Sequence, residues 1–293
     1  MGEQIQSVIQ KHIEHLYPGA YRAQLSKVGG GCINECYKVA FSEGQVFCKV
    51  NDAARYPLMF QKESNGLEMI KKHGAIKVPD VIDCFESGGK QTLLLQWVDE
   101  GQRTEAFWKK FGEQLAALHH ITAGTFGLGE DNYMGSVPQR NQPHNNWSDF
   151  FVNERLKPLV NQCSSKNLLS ANHVFQFEKL YLQIGQLFES DAKASLVHGD
   201  LWNGNFMCNE NEEPVLIDQA IYFGHRSVDV AMTTLFGGFR SQFYDAYNYH
   251  FPLPTNYEEQ WEICNLYPLL IHLLLFGKSY LSKIERSLAK FAR

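Results

Sequence analysis

The chain has 293 residues, of which 44% are apolar, 13% aromatic and 20% charged. This length and composition are typical of a folded globular protein with one large domain or two modest ones. The formal net charge of −5 gives no broad electrostatic attraction to nucleic acid. We therefore predict no nucleic-acid partner.

The most apolar segment, residues 267–276, is too short to span a bilayer, so we expect no membrane partner. The first 16 residues predict an amphipathic helix rather than a secretory signal, because Val8, Ile9 and Ile13 fall on one face. The seven cysteines are odd in number and include no C-x-x-C pair, which argues against a disulfide scaffold and a zinc site. We accordingly expect reduced thiols and a cytoplasmic location.

Strand patterns dominate the first third of the chain. After the helix at the start of the chain, alternating apolar residues predict five strands, at 22–28, 35–41, 45–50, 78–86 and 91–98. Helical spacing predicts a second helix at 59–74. After residue 101 the spacing becomes helical, and helical segments dominate to the end apart from residues 195–220. The pattern predicts an α+β protein with a small strand-rich N-terminal lobe, residues 1–98, and a larger, mainly helical C-terminal lobe, residues 99–293.

A triple glycine separates the first two predicted strands. Glycine lets backbone N–H groups approach a ligand closely, and such loops can hold phosphate. A glycine-rich hairpin turn without a ligand is the alternative, since the segment is neither a Walker motif nor a full G-x-G-x-x-G. The residues proposed to surround a phosphate here are Gly29, Gly30, Gly31, Cys32, Ile33 and Asn34.

Lys49 lies in the third predicted strand, and Glu63 follows it by 14 residues in the predicted helix at 59–74. Strand alternation places Phe47 and Lys49 on one face of the sheet and Cys48 and Val50 on the other. A strand lysine paired with a helix glutamate below a glycine loop is how protein kinases hold ATP phosphates. A solvated lysine at the sheet edge is the alternative.

Two carboxylates and one amide follow short apolar runs in residues 195–220. Asp200 and Asn205 are five residues apart, as in the catalytic loop of a kinase, and Asp218 follows the next predicted strand. Oxygen ligands of this kind suit Mg²⁺, so Asn205 and Asp218 are candidate metal ligands and Asp200 is the candidate catalytic residue. Two separately capped turns would explain these three residues, but would not explain the upstream glycine loop, lysine and glutamate.

The motifs H-G-D-L-W-N-G-N at 198–205 and G-G-G-C-I-N at 29–34, together with F-G-L-G-E-D-N-Y-M-G-S-V-P-Q at 126–139, resemble the fructosamine/ketosamine kinase family. This family lies within the aminoglycoside-phosphotransferase-like branch of the protein-kinase-like fold, and the similarity covers nearly the whole chain. The resemblance implies a bilobal fold, ATP and Mg²⁺ as cofactors, and phosphorylation of the carbon-3 hydroxyl of ketosamines. Such substrates are fructosamine, ribulosamine or erythrulosamine, free or on protein lysines, and their phosphorylation leads to deglycation.

The same resemblance assigns roles to residues outside the core motif. It implies a hinge between the lobes whose backbone binds adenine, with a plain strand end as the alternative, at Gln96, Trp97 and Val98. It also implies that His198 and Asp229 support the catalytic loop and do not themselves react. One departure is visible, because Gln219 stands where the family has proline after the metal-binding aspartate. Metal binding needs only the aspartate, so this departure bears on the rigidity of the loop.

Aromatic and thiol side chains near these motifs have two interpretations each. Trp202 and Trp147 are candidates for stacking on the substrate, and packing in the core is the alternative for both. Cys32 directly follows the triple glycine, where backbone N–H groups and Lys49 would favour a reactive thiolate. It is therefore a candidate redox switch that either oxidises or pairs with Cys32 of a second chain, and a buried, inert thiol is the alternative.

Two alternatives to a ketosamine kinase remain from the sequence. A kinase for aminoglycosides or choline would use the same catalytic residues, and a pseudokinase that binds ligands without catalysis would have the same fold. The pseudokinase is disfavoured because Lys49, Glu63, Asp200, Asn205 and Asp218 are all present. The sequence does not choose among sugars and amines, or between a monomer and a homodimer.

Overall fold

The N-terminal lobe is an antiparallel sheet with a helix on each face, in a computed structural model that describes residues 2–19, 23–29 and 34–292. Its elements are α1 Gly2–Leu16, β1 Gln24–Lys27, β2 Glu35–Phe41, β3 Gly44–Asp52, α2 Met59–His73, β4 Val81–Ser87 and β5 Lys90–Gln96. The strand order is β1-β2-β3-β5-β4, so β3 lies at the centre of the sheet.

Side-chain alternation on β3 separates an apolar face from a functional face. Cys48 and Val50 are buried against Ile9 and Ile13 of α1. Lys49 points to the opposite side of the sheet, where α2 lies. The predicted division of the two faces of this strand is confirmed.

The C-terminal lobe consists mainly of helices. They are α3 Glu105–His119, α4 Trp147–Phe150, α5 Lys157–Ser165, α6 Ala171–Tyr181, α7 Ile184–Leu187, α8 Ser227–Met232, α9 Ser241–His250, α10 Tyr257–Cys264, α11 Leu266–Phe276 and α12 Leu281–Phe291. A π-helical segment, Phe151–Leu156, joins α4 to α5, and a 3₁₀ turn, Lys278–Tyr280, precedes α12. No helix in the described part of the chain is long and apolar enough to cross a membrane.

Short strands inside this lobe hold the loops that carry polar residues. They are β6 Thr122–Ala123, β7 Asn132–Met134, β8 Val137–Gln139, β9 Ala194–Val197, β10 Phe206–Cys208, β11 Pro214–Leu216 and β12 Tyr222–Gly224. The hairpin of β10 and β11 is antiparallel, and the N–H of Ile217 extends its ladder by donating to the carbonyl of Asn205 at 3.1 Å. The ends of the segments that carry Asn205 and Asp218 are therefore neighbours.

Aromatic packing fixes the central helices of the C-terminal lobe. Phe111 of α3 contacts Phe206, Phe239 and Phe243, with ring centroids 4.9 to 5.5 Å apart. A Cβ atom on Gly112 would come within 2.3 Å of the carbonyl oxygen of Phe243, so this glycine allows α3 and α9 to approach closely. The resulting core supports β10 and the loop before it.

The predicted strands and the predicted helix at 59–74 agree with the observed elements to within a few residues. α2 ends at Gly74, which adopts the left-handed conformation with φ of 65°, as the sequence predicted for this stop. The proposed division at residues 98 and 99 falls in the connection between β5 and α3 and stays a prediction. The six cysteines in the described ranges are all unpaired.

Candidate active site

A cavity of about 450 Å³ is lined by residues of both lobes, and its volume suits a small-molecule ligand. It brings together predicted site residues that are far apart in sequence. Those that line it are Gly29, Asn34, Lys49, Glu63, Gln96, Trp97, Val98, Asp200, Trp202, Asn205 and Asp218. The predictions for Gly30, Gly31, Cys32 and Ile33, including the redox switch, fall outside the described residues.

Lys49 connects the two lobes at the centre of this cavity. Its ammonium group donates to Glu63 Oε1 at 2.7 Å and also pairs with Asp218, although the lysine side chain is only 5% exposed. Burial disfavours the charge on Lys49, but the two carboxylates outweigh it and raise the pKa of this lysine above its usual value. The predicted ion pair between Lys49 and Glu63 is confirmed, and the lysine carries a fixed positive charge.

Asp200 is held by Asn205. The side-chain amide of Asn205 donates to the backbone carbonyl of Asp200 at 2.8 Å and to its carboxylate at 2.9 Å. Burial raises the pKa of Asp200 well above its usual value, and the negative charge of Asp218 raises it further. A carboxylate with a raised pKa is a stronger proton acceptor, which is the property that a general base requires.

Asp229 lies beneath the loop that carries Asp200, and is only 1% exposed. Its carboxylate accepts from the N–H groups of His198 at 2.6 Å and Gly199 at 2.8 Å, and it also contacts His119 Nε2 at 3.1 Å. Gly199 has φ of 83°, and a Cβ atom there would lie 2.1 Å from the carbonyl oxygen of Ala220. Only glycine fits this turn, and Asp229 fixes the conformation of its backbone.

His198 ties the two polar loops together. Its Nδ1 accepts from the N–H of Asp200 at 3.2 Å, and its Nε2 faces the carbonyl of Ile217 at 3.0 Å. Because a carbonyl only accepts, the proton is on Nε2. Burial lowers the pKa of His198, which keeps the ring neutral. Both ring nitrogens are engaged, so His198 supports the loop and is not placed to act as a base.

Two candidate oxygen ligands for a hard cation, Asn205 and Asp218, face the cavity. Asp218 adopts the left-handed conformation, with φ of 55°, which turns its side chain out of the preceding strand so that it is 43% exposed. Asn205 uses its amide nitrogen on Asp200, which leaves its carbonyl oxygen for another partner. Mg²⁺ is commonly held by one or two protein oxygens together with substrate phosphates, so this donor set fits it. Within the described ranges, no group of three His, Cys, Asp or Glu side chains forms a self-sufficient metal site.

Apolar side chains line the cavity near β5. Phe47, Leu95, Met207 and Ile217 line it beside the segment from Gln96 to Val98. The N–H of Gln96 donates to the carbonyl of Asp80 at 2.8 Å, which fixes the start of this segment. Its location is the one expected of an adenine-binding hinge, and this role stays a prediction.

The side of the cavity near α11 is rich in aromatic rings. Trp202 lies there, 6.0 Å from the ring of Phe236, and the ring of Phe236 is 4.6 Å from His272. Phe276 also lines the cavity and is 54% exposed. Trp147, in contrast, is 2% exposed and stacks on Phe151 in the core, so it does not contact a ligand in the cavity and its core-packing interpretation is the correct one.

Sequence reasoning missed several residues of the site. The apolar run at 267–276 contains no motif that indicates a site, yet Ile271, His272 and Phe276 line the cavity. His119 had no signal beyond its helical spacing, although it supports Asp229. Further missed lining residues, on the β7–β8 hairpin, are Asn132, Tyr133, Met134 and Gly135.

Comparisons with known proteins find relatives over the whole chain. Residues 2–293 match the family model described as fructosamine kinase. Ketosamine-3-kinase of Mus musculus is 31% identical over 292 residues, covering 89% of this chain and 94% of the mouse protein. A crystal structure of a provisionally designated fructosamine-3-kinase from Thermobifida fusca is 30% identical, covers 97% of this chain and 98% of its own, and has a TM-score of 0.87.

A more distant solved structure bears on the fold alone. It is a provisionally designated aminoglycoside phosphotransferase from Ralstonia eutropha, with 13% identity, a TM-score of 0.63, and coverage of 98% of this chain and 96% of its own. Its likeness to this chain extends over both lobes. The prediction of a bilobal α+β protein of the protein-kinase-like fold is confirmed.

Proposed function

The chain belongs to the fructosamine kinase family, as its motifs predicted, and on that premise we propose that it transfers the γ-phosphoryl group of ATP to the carbon-3 hydroxyl of a ketosamine. The observation that carries the proposal is the meeting of Lys49, Glu63, Asp200, Asn205 and Asp218 in one cavity. Phosphoryl transfer depends chiefly on positioning and charge stabilisation, and these side chains supply both.

The charged residues divide into those that hold the nucleotide and one that acts on the acceptor. Lys49 presents a fixed positive charge to the phosphates, and Glu63 orients it from α2. Asp218 and the free oxygen of Asn205 are the proposed Mg²⁺ ligands. When bound, Mg²⁺ neutralises charge that develops on the transferred phosphoryl group.

Asp200 is the proposed acceptor of the proton from the attacking hydroxyl. The amide of Asn205 holds its carboxylate in one orientation, and its raised pKa makes it a better base than an exposed aspartate. Asp229 and His198 fix the backbone on which Asp200 stands. Trp202 is the proposed contact for the sugar or for the amine-bearing part of the substrate.

Phosphorylation of carbon 3 makes the adduct unstable without further catalysis. In a ketosamine, carbon 2 is a ketone and carbon 1 carries the amine. Loss of a proton from carbon 1 gives an enaminol, and its electron pair expels the phosphate from carbon 3. Water then adds to the resulting imine carbon, and the amine departs unmodified. One phosphoryl transfer therefore leads to deglycation, and the protein needs only one active site for it.

The test is ATP consumption with matched fructose-, ribulose- and erythrulose-derived amines, each compared with its parent amine. Every adduct is offered both as a free amino acid derivative and on a lysine within a protein. Turnover with at least one adduct, and none with the parent amine, is expected.

Aminoglycosides and choline are included because kinases for them share this fold. A preference for either of these acceptors would replace the ketosamine assignment. Binding of ATP without turnover on any acceptor would favour a binding module instead.

A further inference from the structure

Gln219, which directly follows Asp218, reaches across to α2. Its side-chain amide donates to the backbone carbonyl of Glu63 at 2.7 Å, and the residue is only 7% exposed. Glu63 is the residue whose carboxylate orients Lys49. The side chain of Gln219 therefore connects the segment that carries the proposed metal ligand to the helix that positions the phosphate-binding lysine.

A glycine on α2 makes room for this contact. Gly66 lies three residues after Glu63, on the same face of the helix. A Cβ atom on Gly66 would lie 2.9 Å from Gln219 Nε2 and 3.3 Å from the side chain of Ile221. Both distances are shorter than ordinary contact, so any larger residue would push the amide away.

These contacts join three segments of the chain, β3, α2 and the loop after β11, each to the other two. Lys49 on β3 pairs with Glu63 on α2 and with Asp218 in the loop after β11. The next residue in that loop, Gln219, returns to Glu63 through its amide. A metal ion on Asp218 and phosphates at Lys49 would compete with the Lys49–Asp218 contact and would open it. The Gln219 amide is then the buried contact that still joins this loop to α2.

In the described part of the chain, the other side-chain hydrogen bonds between α2 and the C-terminal lobe are exposed. Lys62 donates to the carbonyl of Asp131, and Asn65 donates to Glu130 Oε1 at 3.0 Å. Hydrogen bonds at the surface compete with water, whereas the bond of Gln219 is shielded from it. Among these hydrogen bonds, that of Gln219 is thus the stronger restraint on the position of Glu63.

We propose that Gln219 is a positioning residue that keeps α2 docked while the nucleotide is bound, and so maintains the Lys49–Glu63 pair. The inference rests on the proposed function in that it concerns the same nucleotide site. It does not depend on which acceptor the enzyme uses. It assigns a chain-specific role to the position at which this sequence departs from the family.

The central experiment is Gln219→Met, which keeps the size of the side chain and removes the donor. The matched control is Gln260→Met, because Gln260 is also fully buried and donates to a backbone carbonyl, that of Leu187, at 3.0 Å. The affinity of each variant for a non-hydrolysable ATP analogue is measured by calorimetry in the presence of Mg²⁺. Hydrogen exchange of the α2 amides is measured with the analogue bound at saturation.

Gln219→Met should weaken analogue binding about five- to tenfold and speed exchange in α2, and Gln260→Met should do neither. In a Glu63→Gln background the further effect of Gln219→Met should largely disappear, because both residues act through Lys49. Gly66→Ala should reproduce the loss of affinity although alanine favours the helix, and it carries the test where Gln219→Met does not fold.

Analogue affinity in Gln219→Met equal to that in the control, or effects of Gln219→Met and Glu63→Gln that simply add, would overturn the proposal. Neither measurement uses an acceptor. If no ketosamine is phosphorylated while Gln219→Met behaves as expected, the proposed function fails and the positioning role stands. The reverse result rejects the role of Gln219 alone.

Discussion

The side-chain amide of Asn205 donates to both the backbone carbonyl and the carboxylate of Asp200, at 2.8 and 2.9 Å. These two hydrogen bonds fix the orientation of both side chains. It points the remaining oxygen of Asn205 away from Asp200, so that the amide can serve a metal ion while its nitrogen holds the base. One asparagine thus couples the position of the proposed proton acceptor to that of the proposed cation site.

Replacing Asp200 with asparagine should remove turnover and leave nucleotide binding nearly unchanged. The Asp200→Asn side chain keeps an oxygen to accept from Asn205 but cannot take a proton from the acceptor. General-base contributions span about 10²–10⁴-fold, and we expect the loss of kcat to fall in that range. Steady-state kinetics and calorimetry with Mg²⁺-ATP measure the two quantities. Near-normal kcat in this variant would remove Asp200 from the reaction.

The same substitution should stabilise the folded protein at neutral and alkaline pH. Burial and the charge of Asp218 raise the pKa of Asp200, so ionising it in the folded state is unfavourable relative to the unfolded state. The stability that the protonated carboxyl contributes is lost as the pH rises through the raised pKa. Asp200→Asn is neutral throughout, so its melting temperature should exceed that of the wild type at about pH 8, and the difference should shrink as the pH falls towards about 4. A constant difference across that range would contradict the raised pKa.

Local spacing was sufficient to predict much of this site. Asp200, Asn205 and Asp218 lie at the ends of short strands in one continuous segment, so a hairpin brings them together. Lys49 and Glu63 are close in sequence and lie on adjacent elements. These contacts follow from strand alternation and from short connections, both of which are visible in the sequence.

Other parts of the site depend on tertiary packing that has no local signal. The Gln219 amide reaches a carbonyl in α2, 156 residues away, and only the packed lobes bring the two together. His272 lies in an apolar run that carries no site motif, but α11 is placed so that this histidine lines the cavity. Trp147, in contrast, was a candidate for substrate contact and is buried in the core. Its position near polar motifs in the sequence does not show which side of its helix faces the core.

Removing the carboxylate of Asp218 should abolish the dependence of nucleotide binding on Mg²⁺. In Asp218→Ala only Asn205 is left as a protein oxygen ligand, and a single neutral ligand holds the cation poorly. Calorimetric titration of ADP with and without Mg²⁺ compares the two affinities directly. The wild type should bind more tightly with the metal, and the variant should bind equally in both conditions. Retention of the Mg²⁺ effect in Asp218→Ala would exclude this aspartate as a ligand.

Lys49 and Glu63 should behave as one unit in a double-mutant cycle. Lys49→Met removes the charge that faces the phosphates, whereas the apolar walls of the adenine side are untouched. Glu63→Gln removes only the partner that orients the lysine. The double variant should therefore be no worse in kcat/KM for ATP than Lys49→Met alone, since Glu63 acts through Lys49. If the two losses instead multiplied, Glu63 would need a separate role, and the ion pair would not explain it.

Asp229→Asn should lower both the stability of the fold and the turnover. The carboxylate accepts from the backbone N–H groups of His198 and Gly199, and an amide would turn an NH₂ group towards one of these donors. A buried donor left without an acceptor costs about 1–3 kcal/mol in unfolding free energy, which denaturant titration can resolve. Because the displaced backbone carries Asp200, kcat should fall while the affinity for Mg²⁺-nucleotide changes less.

The control is Asp245→Asn, on the exposed face of α9, which makes the same chemical change without these contacts. It should alter neither the unfolding free energy nor kcat. Equal stability of Asp229→Asn and Asp245→Asn would mean that the buried carboxylate does not hold the catalytic loop.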